Sequence, residues 1–186
     1  MNIRSAALAA SLAFMSATAA QAEDFTGWRA DLHGGYDTLS SVYTVGGVML
    51  GSGIGYDAAI GKSVILGVEA NIGYSTAKDE GALFGVFYST VARRDLELSA
   101  RIGAKLGEST LAYLKAGYSN AAYETVAVGG GFAGFESGTV DGIRLGVGIE
   151  QAIGGRWYAK SEYRFTRYGE EDANRNQFLL GVGVRF

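Results

Sequence analysis

Cysteine and proline are missing from the 186-residue sequence altogether, and histidine occurs once, at His33. Without cysteine there is no disulfide framework, thiolate nucleophile, thiolate zinc site or lipid-modified N-terminal cysteine. One histidine leaves little material for an imidazole metal centre. Lys and Arg number 16 against 19 Asp and Glu, a formal net charge of −3, and this balance argues against a nucleic-acid binder. Beyond residue 22 no stretch reaches the roughly 18 apolar residues that a spanning helix needs. Glycine is abundant, at 29 residues, but has no three-residue period, which excludes collagen. Aromatic rings are plentiful too, with 11 Tyr, 9 Phe and 2 Trp in a chain that is 48% hydrophobic. This is the composition of an ordered chain, and the length allows one domain.

Residues 1–22 read as a cleaved export signal. Arg4 supplies a positive start, residues 6–14 are mostly apolar, and Ala20-Gln21-Ala22 forms a small-x-small cleavage site ahead of Glu23. The expected mature domain is 23–186, and every glycine lies within it.

Along that domain apolar residues recur with period two, as in strands with one apolar face. Segment 28–37 sets Trp28, Ala30, Leu32 and Tyr36 against Arg29, Asp31, His33 and Asp37. Segment 48–60 sets Val48, Leu50, Ile54 and Tyr56 against Gly51, Gly53, Gly55 and Asp57. Segments 64–74 and 94–106 oppose Leu66, Val68, Ile72, Tyr74, Leu96, Leu98 and Ile102 to Glu69, Asp95, Glu97, Arg101 and Lys105. The alternation continues through 111–118, 141–152, 157–168 and 177–186, and no segment shows helical spacing. Eight strands result. Short links (61–63, 107–110, 153–156) alternate with long ones (38–47, 75–93, 119–140, 169–176). In an up-and-down meander this puts all long links at one end, the asymmetry of transmembrane barrels.

A soluble barrel would bury the apolar face and wet the charged one. Three features favour the inverse. Glycines crowd the charged face, which suits a narrow lumen and would only weaken an open one. Aromatic residues sit at the ends of the apolar face, where rings meet a membrane interface: Tyr36, Tyr74 and Tyr118 at the long-link end, Trp28, Tyr56, Trp157 and Phe186 at the other. The middle of that face carries no charge, which would cost about 2–4 kcal/mol at a bilayer midplane. The expected fold is an all-β, eight-stranded antiparallel up-and-down transmembrane β-barrel.

The signal peptide, the repeated strand ends Gly35-Tyr36-Asp37, Gly73-Tyr74-Ser75 and Gly117-Tyr118-Ser119, and the terminal Gly181-Val182-Gly183-Val184-Arg185-Phe186 resemble the small outer-membrane β-barrel family. That family includes opacity-protein-like surface antigens and the membrane domain of OmpA-like proteins. The resemblance implies a Gram-negative outer membrane as location, with lipid and lipopolysaccharide as surroundings. It also implies that Phe178, Leu180, Val182, Val184 and Phe186 form the signal read by the barrel-insertion machinery. Full-length OmpA-like proteins carry a periplasmic peptidoglycan-binding domain that this sequence lacks after Phe186, so anchoring to the cell wall is not expected.

The inward set predicted from parity holds Arg29, Arg101, Lys105, Lys115, Arg144, Lys160, Arg164 and Arg185 against Asp31, Asp37, Asp57, Glu69, Asp95, Glu97, Glu150 and Glu162. An eight-stranded barrel is only just wide enough for side chains to fill. Pairing into a plug is the expectation, with Glu69, Glu97, Arg101, Lys115, Arg144, Glu150, Lys160 and Glu162 as its core; a narrow porin-like channel is the alternative. No catalytic, cofactor or metal site is expected. His33 falls inside the lumen, the G-x-G-x-x-A match at 53–58 lacks a crossover helix, and Glu170-Glu171-Asp172 reads as a solvated tip. Arg94 and Arg167 lie near the long-link ends with outward parity, placed for lipopolysaccharide phosphates. The long links also hold Leu83, Phe84, Val86, Phe87 and Tyr88, and Tyr123, Val126, Val128, Phe132 and Phe135. Such clusters mark a partner site or extend the strands into a protruding sheet. The function expected is that of a non-enzymatic surface protein whose loops mediate adhesion to host or cell-surface ligands.

Overall fold

The computed structural model describes residues 25–40, 44–83, 86–129, 132–169 and 173–186. They form nine antiparallel strand segments: β1 (Gly27–Ser40), β2 (Thr44–Ile60), β3 (Val64–Ser75), β4 (Lys78–Leu83), β5 (Val86–Lys105), β6 (Thr110–Gly129), β7 (Phe132–Gly154), β8 (Trp157–Tyr168) and β9 (Asn174–Arg185). The sheet closes on itself, because β1 pairs with β9 and β3 with β5. After Thr76-Ala77, β4 takes over from β3 as the neighbour of β5. Nine segments therefore make eight staves, as the alternation predicts. The seam between first and last strands runs to the final residue: Trp28 N–H donates to the Phe186 carbonyl (3.1 Å), and Phe186 N–H to that of Trp28 (2.9 Å).

Period two turns into two opposite surfaces. Leu32, Leu98, Leu114, Ile143 and Tyr74 are each 60% or more exposed, while Arg29, Asp57 and Glu150 are fully buried. A soluble protein would invert that arrangement, so the apolar exterior identifies the surrounding solvent as lipid. Tyr36, Tyr74 and Tyr118 ring one end of the apolar band, and Trp28, Tyr56, Trp157 and Phe186 the other; all are exposed. Trp28 and Tyr56 are register partners with an edge-to-face ring contact at 5.4 Å between centroids. The short-turn end is made by 61–63, 106–109 and 155–156, where Gly61, Gly107 and Gly155 take positive φ (69°, 82° and 60°).

The long links are mostly not loops. The β1–β2 ladder runs up to Ser40↔Thr44, the β4–β5 hairpin to Leu83↔Val86, and the β6–β7 hairpin to Gly129↔Phe132. Residues read as links carry the sheet well past the tyrosine ring because strand pairing satisfies backbone groups that a loop would leave to water. On this side a bulge interrupts it: Ala92 pairs with Tyr123 and Asp95 with Ala121, so Arg93 and Arg94 together oppose Ala122. Residues 1–22, Phe84 and Glu170-Glu171-Asp172 lie outside the described residues, as do the side chains of Leu83, Val86 and Phe132.

The register offers a direct test of which face meets lipid. Leu66 and Ile102 are partners in the β3–β5 ladder, and both point outward. Leu66→Arg or Ile102→Arg is expected to lower stability by about 2–4 kcal/mol, measured by urea titration of the barrel folded into lipid vesicles. Wild-type stability in both would mean that the faces are reversed.

Candidate functional site in the barrel lumen

The lumen is filled by charge. Eight cations (Arg29, Arg101, Lys115, Arg144, Lys160, Arg164, Arg175, Arg185) and eight carboxylates (Asp31, Asp37, Asp57, Glu69, Asp95, Glu97, Glu150, Glu162) are buried there. Each of the eight staves supplies at least one of them. Near the short-turn end, Asp57 receives Arg29 (3.0 Å), Arg101 (2.5 Å) and Arg185 (2.8 Å). Glu150 binds Arg101 and Arg185 from the opposite wall. In the middle, Lys115 Nζ lies 2.8, 2.7 and 2.8 Å from Glu69, Glu97 and Glu162. Beside them Asp31 holds Lys160 (2.7 Å) and the Nδ1 of His33 (2.8 Å). Above, Arg144 bridges Asp95 (2.8 Å) and Glu97 (3.0 Å), and Arg164 joins Glu97 (3.2 Å) to Glu162. Arg175 caps the stack on Asp37 (2.5 Å) and Asp95 (3.1 Å). Pair by pair, the contacts link all sixteen groups into one network.

Most of the long cationic side chains fit because a strand beside them is bare. A Cβ at Gly67 would sit 2.1 Å from Asp57 Oδ1 and 3.2 Å from Arg101 Cγ. One at Gly146, the register partner of Lys115, would sit 2.8 Å from its Cγ. Glycine on the inward face is thus the space that charged side chains occupy. At the short-turn mouth the lining turns apolar, with Phe25, Ile65 and Leu111 clustered together. The Arg185 guanidinium lies 5.3 Å and the Lys105 ammonium 5.8 Å from the Phe25 ring centroid.

All eight core residues predicted from parity (Glu69, Glu97, Arg101, Lys115, Arg144, Glu150, Lys160 and Glu162) face the lumen and are brought together, and His33 joins them. Lys105, in the wider inward set, also faces in, half-buried against the Phe25 ring at the short-turn mouth. Arg175 joins the fully buried set from a segment read as a link because polar residues occupy both parities from Asn174 to Gln177. On the outer surface, Phe178, Leu180 and Val184 are half-buried, and Val182 and Phe186 are exposed. Arg94 is the register partner of Tyr74 at the tyrosine ring and donates to Asn120 (3.1 Å). Asn120 in turn donates to Asp141 (2.7 Å), which also accepts from the Tyr118 hydroxyl (2.5 Å). These two hydrogen bonds, Tyr118's first, hold the exposed Asp141 carboxyl below the usual range. Arg167 is exposed on the neighbouring β8.

Removing one member of a buried pair leaves its partner charged and desolvated. Arg101→Ala is therefore expected to cost about 3–5 kcal/mol, read as a fall in the urea midpoint of the vesicle-embedded barrel. A loss below about 1 kcal/mol, the range of exposed ion pairs, would show that water reaches the site freely.

Over residues 7–186 the sequence matches the family described as outer membrane protein beta-barrel domain. No curated protein matches it. Among solved structures, the chain is similar to Neisserial surface protein A, at 19% identity and TM-score 0.61, covering 88% of this chain and 100% of that one. It is also similar to Ail, the attachment invasion locus protein of Yersinia pestis, solved with the heparin analogue sucrose octasulfate. There the identity is 13% and the TM-score 0.59, over 86% of this chain and 99% of that one. At these identities the likeness is one of fold, and it agrees with the closed ring of antiparallel strands. The chain belongs to the family of outer membrane protein β-barrel domains and resides in the bacterial outer membrane.

Proposed function

We propose that this protein is a non-catalytic, non-conducting surface barrel whose protruding hairpins make contacts outside the cell. The observation that carries the reading is the balanced ion-pair network: opposite charges from every stave meet across the lumen, so the interior is occupied by side chains. The single histidine is enclosed in that network, away from either face where a substrate would arrive. Short turns face the periplasm in such barrels, which directs the β4–β5 and β6–β7 hairpins outward. Their outer faces expose Phe87, Val126, Val128 and Phe135, and exposed apolar patches mark contact sites. Ail, an attachment protein by name, shares the fold, and adhesion to a host or cell-surface ligand is the role proposed here.

The same reading gives the remaining surface residues their tasks. Arg94, the register partner of Tyr74, and Arg167, the partner of Ile143 beside Tyr118, stand level with the tyrosine ring, where guanidinium groups pair with lipopolysaccharide phosphates. The terminal strand, with outward Phe178, Leu180, Val182, Val184 and Phe186, serves as the recognition signal for the insertion machinery. Residues 1–22 serve as the cleaved export signal for domain 23–186.

Conductance tests the central part. In planar bilayers the purified barrel is expected to give no sustained single-channel current, and Lys115→Ala, which opens space beside three carboxylates, is expected to give measurable openings. Ohmic, porin-sized currents from the wild type would replace this reading with the channel alternative. Separately, Phe186→Ser is expected to lower the folded, heat-modifiable protein in outer-membrane fractions several-fold. Unchanged levels would remove the terminal residue from the insertion signal.

A further inference from the structure

Above Arg175 the lumen changes character. The inward column of seven of the eight staves passes from charge to apolar side chains: Leu39 on β1, Val45 on β2, Ala77 after β3, Ala92 on β5, Ala121 on β6, Val140 on β7 and Ala173 before β9. These residues, with Thr90, Thr125 and Tyr168, line a cup of about 270 Å³ floored by Asp37 and Arg175. The bulge in β5 helps to make it. By shifting register between Ala92 and Asp95 it turns Ala92 and Thr90 inward and leaves Arg93 outside, paired with Glu124 at 2.7 Å. Without the bulge, Arg93 and Val91 would take the inward positions. The cup lies past Tyr36, Tyr74 and Tyr118, on the hairpin side, and its floor is the top of the ion-pair network.

We infer that this cup is a binding site for a small, neutral, largely apolar molecule taken from the external medium. Its volume exceeds the roughly 150 Å³ that suffices for benzene in an apolar protein cavity. Apolar walls with a few placed polar groups are the usual make-up of small-molecule sites. Neutrality follows from the floor. Arg175 is already engaged by Asp37 and Asp95, and Asp37 also accepts from Ser75 (2.6 Å). A charged ligand would compete with contacts that are complete, whereas a neutral one loses nothing. Because the charged layers lie directly below, the site captures its ligand without passing it on. The inference is independent of the adhesive role proposed above.

Indole, neutral and water-soluble, is a suitable probe for the methyl-labelled full barrel in lipid nanodiscs followed by NMR. Saturable shifts are expected at Leu39, Val45 and Val140, with only linear partitioning shifts at the lipid-facing Leu98 and Leu114. Ala121→Leu and Ala173→Leu, made separately, fill the cup and are expected to weaken binding at least tenfold. Heat-modifiable migration identifies which of them folds, and either suffices. The anion indole-3-carboxylate is expected to bind at least tenfold more weakly than indole. Linear shifts alike at both sets of methyls, wild-type affinity in a folded filling variant, or equal binding of the anion would each overturn the proposal.

Discussion

Sixteen buried charges in a tube one side chain wide must neutralise one another, and the rest of the architecture follows from that constraint. Lipid surrounds the wall, so a charge left over inside is desolvated without a counterion of its own. Every stave contributes to the network, and every cation spans to at least one other strand. The barrel is therefore cross-linked through its middle by pairs between strands remote in sequence, as well as around its circumference by backbone ladders. Glycine is the complement of this arrangement. Six of the eight long cationic side chains lie beside a glycine on a neighbouring strand, as Arg101 does beside Gly67 and Lys115 beside Gly146.

Outside, the demands are reversed. Leu, Ile and Val face acyl chains, tyrosines and tryptophans mark the two interfaces, and charged groups return at the tyrosine ring, in the chain Arg94–Asn120–Asp141–Tyr118. The hairpins then carry the sheet past the membrane, where the inward face no longer needs charge. The apolar cup above Arg175 and the apolar patches on the hairpins both belong to this outer zone. The inward face thus changes from a charged middle to an apolar outer end at the level of Arg175.

Much of this was legible in the sequence because strand periodicity is a local signal. The outward identity of Leu66 or Leu98, the inward identity of Glu69 or Lys115, and the aromatic girdles all follow from parity. What parity cannot convey is depth and partnership. Lys105 has inward parity but stands at the mouth, and Lys115 meets Glu69, Glu97 and Glu162 only because strand tilt brings three other staves to its level. Arg175 was missed because Asn174-Arg175-Asn176-Gln177 has polar residues on both faces and no alternation to read. The cup was hidden for a related reason: its walls come from segments that looked like links, and the bulge at Arg93-Arg94 inverts the parity of β5 midway. Phe25 precedes the first strand and gives no periodic cue at all.

If mutual neutrality governs the lumen, a second loss of charge should repair the first. Lys115→Met leaves Glu69, Glu97 and Glu162 with one negative charge in excess, and adding Glu69→Gln restores the balance at nearly constant volume. Urea unfolding of the wild type, the single variant and the double variant in lipid vesicles measures this directly. The account predicts that the double variant recovers most of the stability lost in Lys115→Met. A double variant less stable than Lys115→Met alone would contradict it, showing that the individual contacts matter and the charge balance does not.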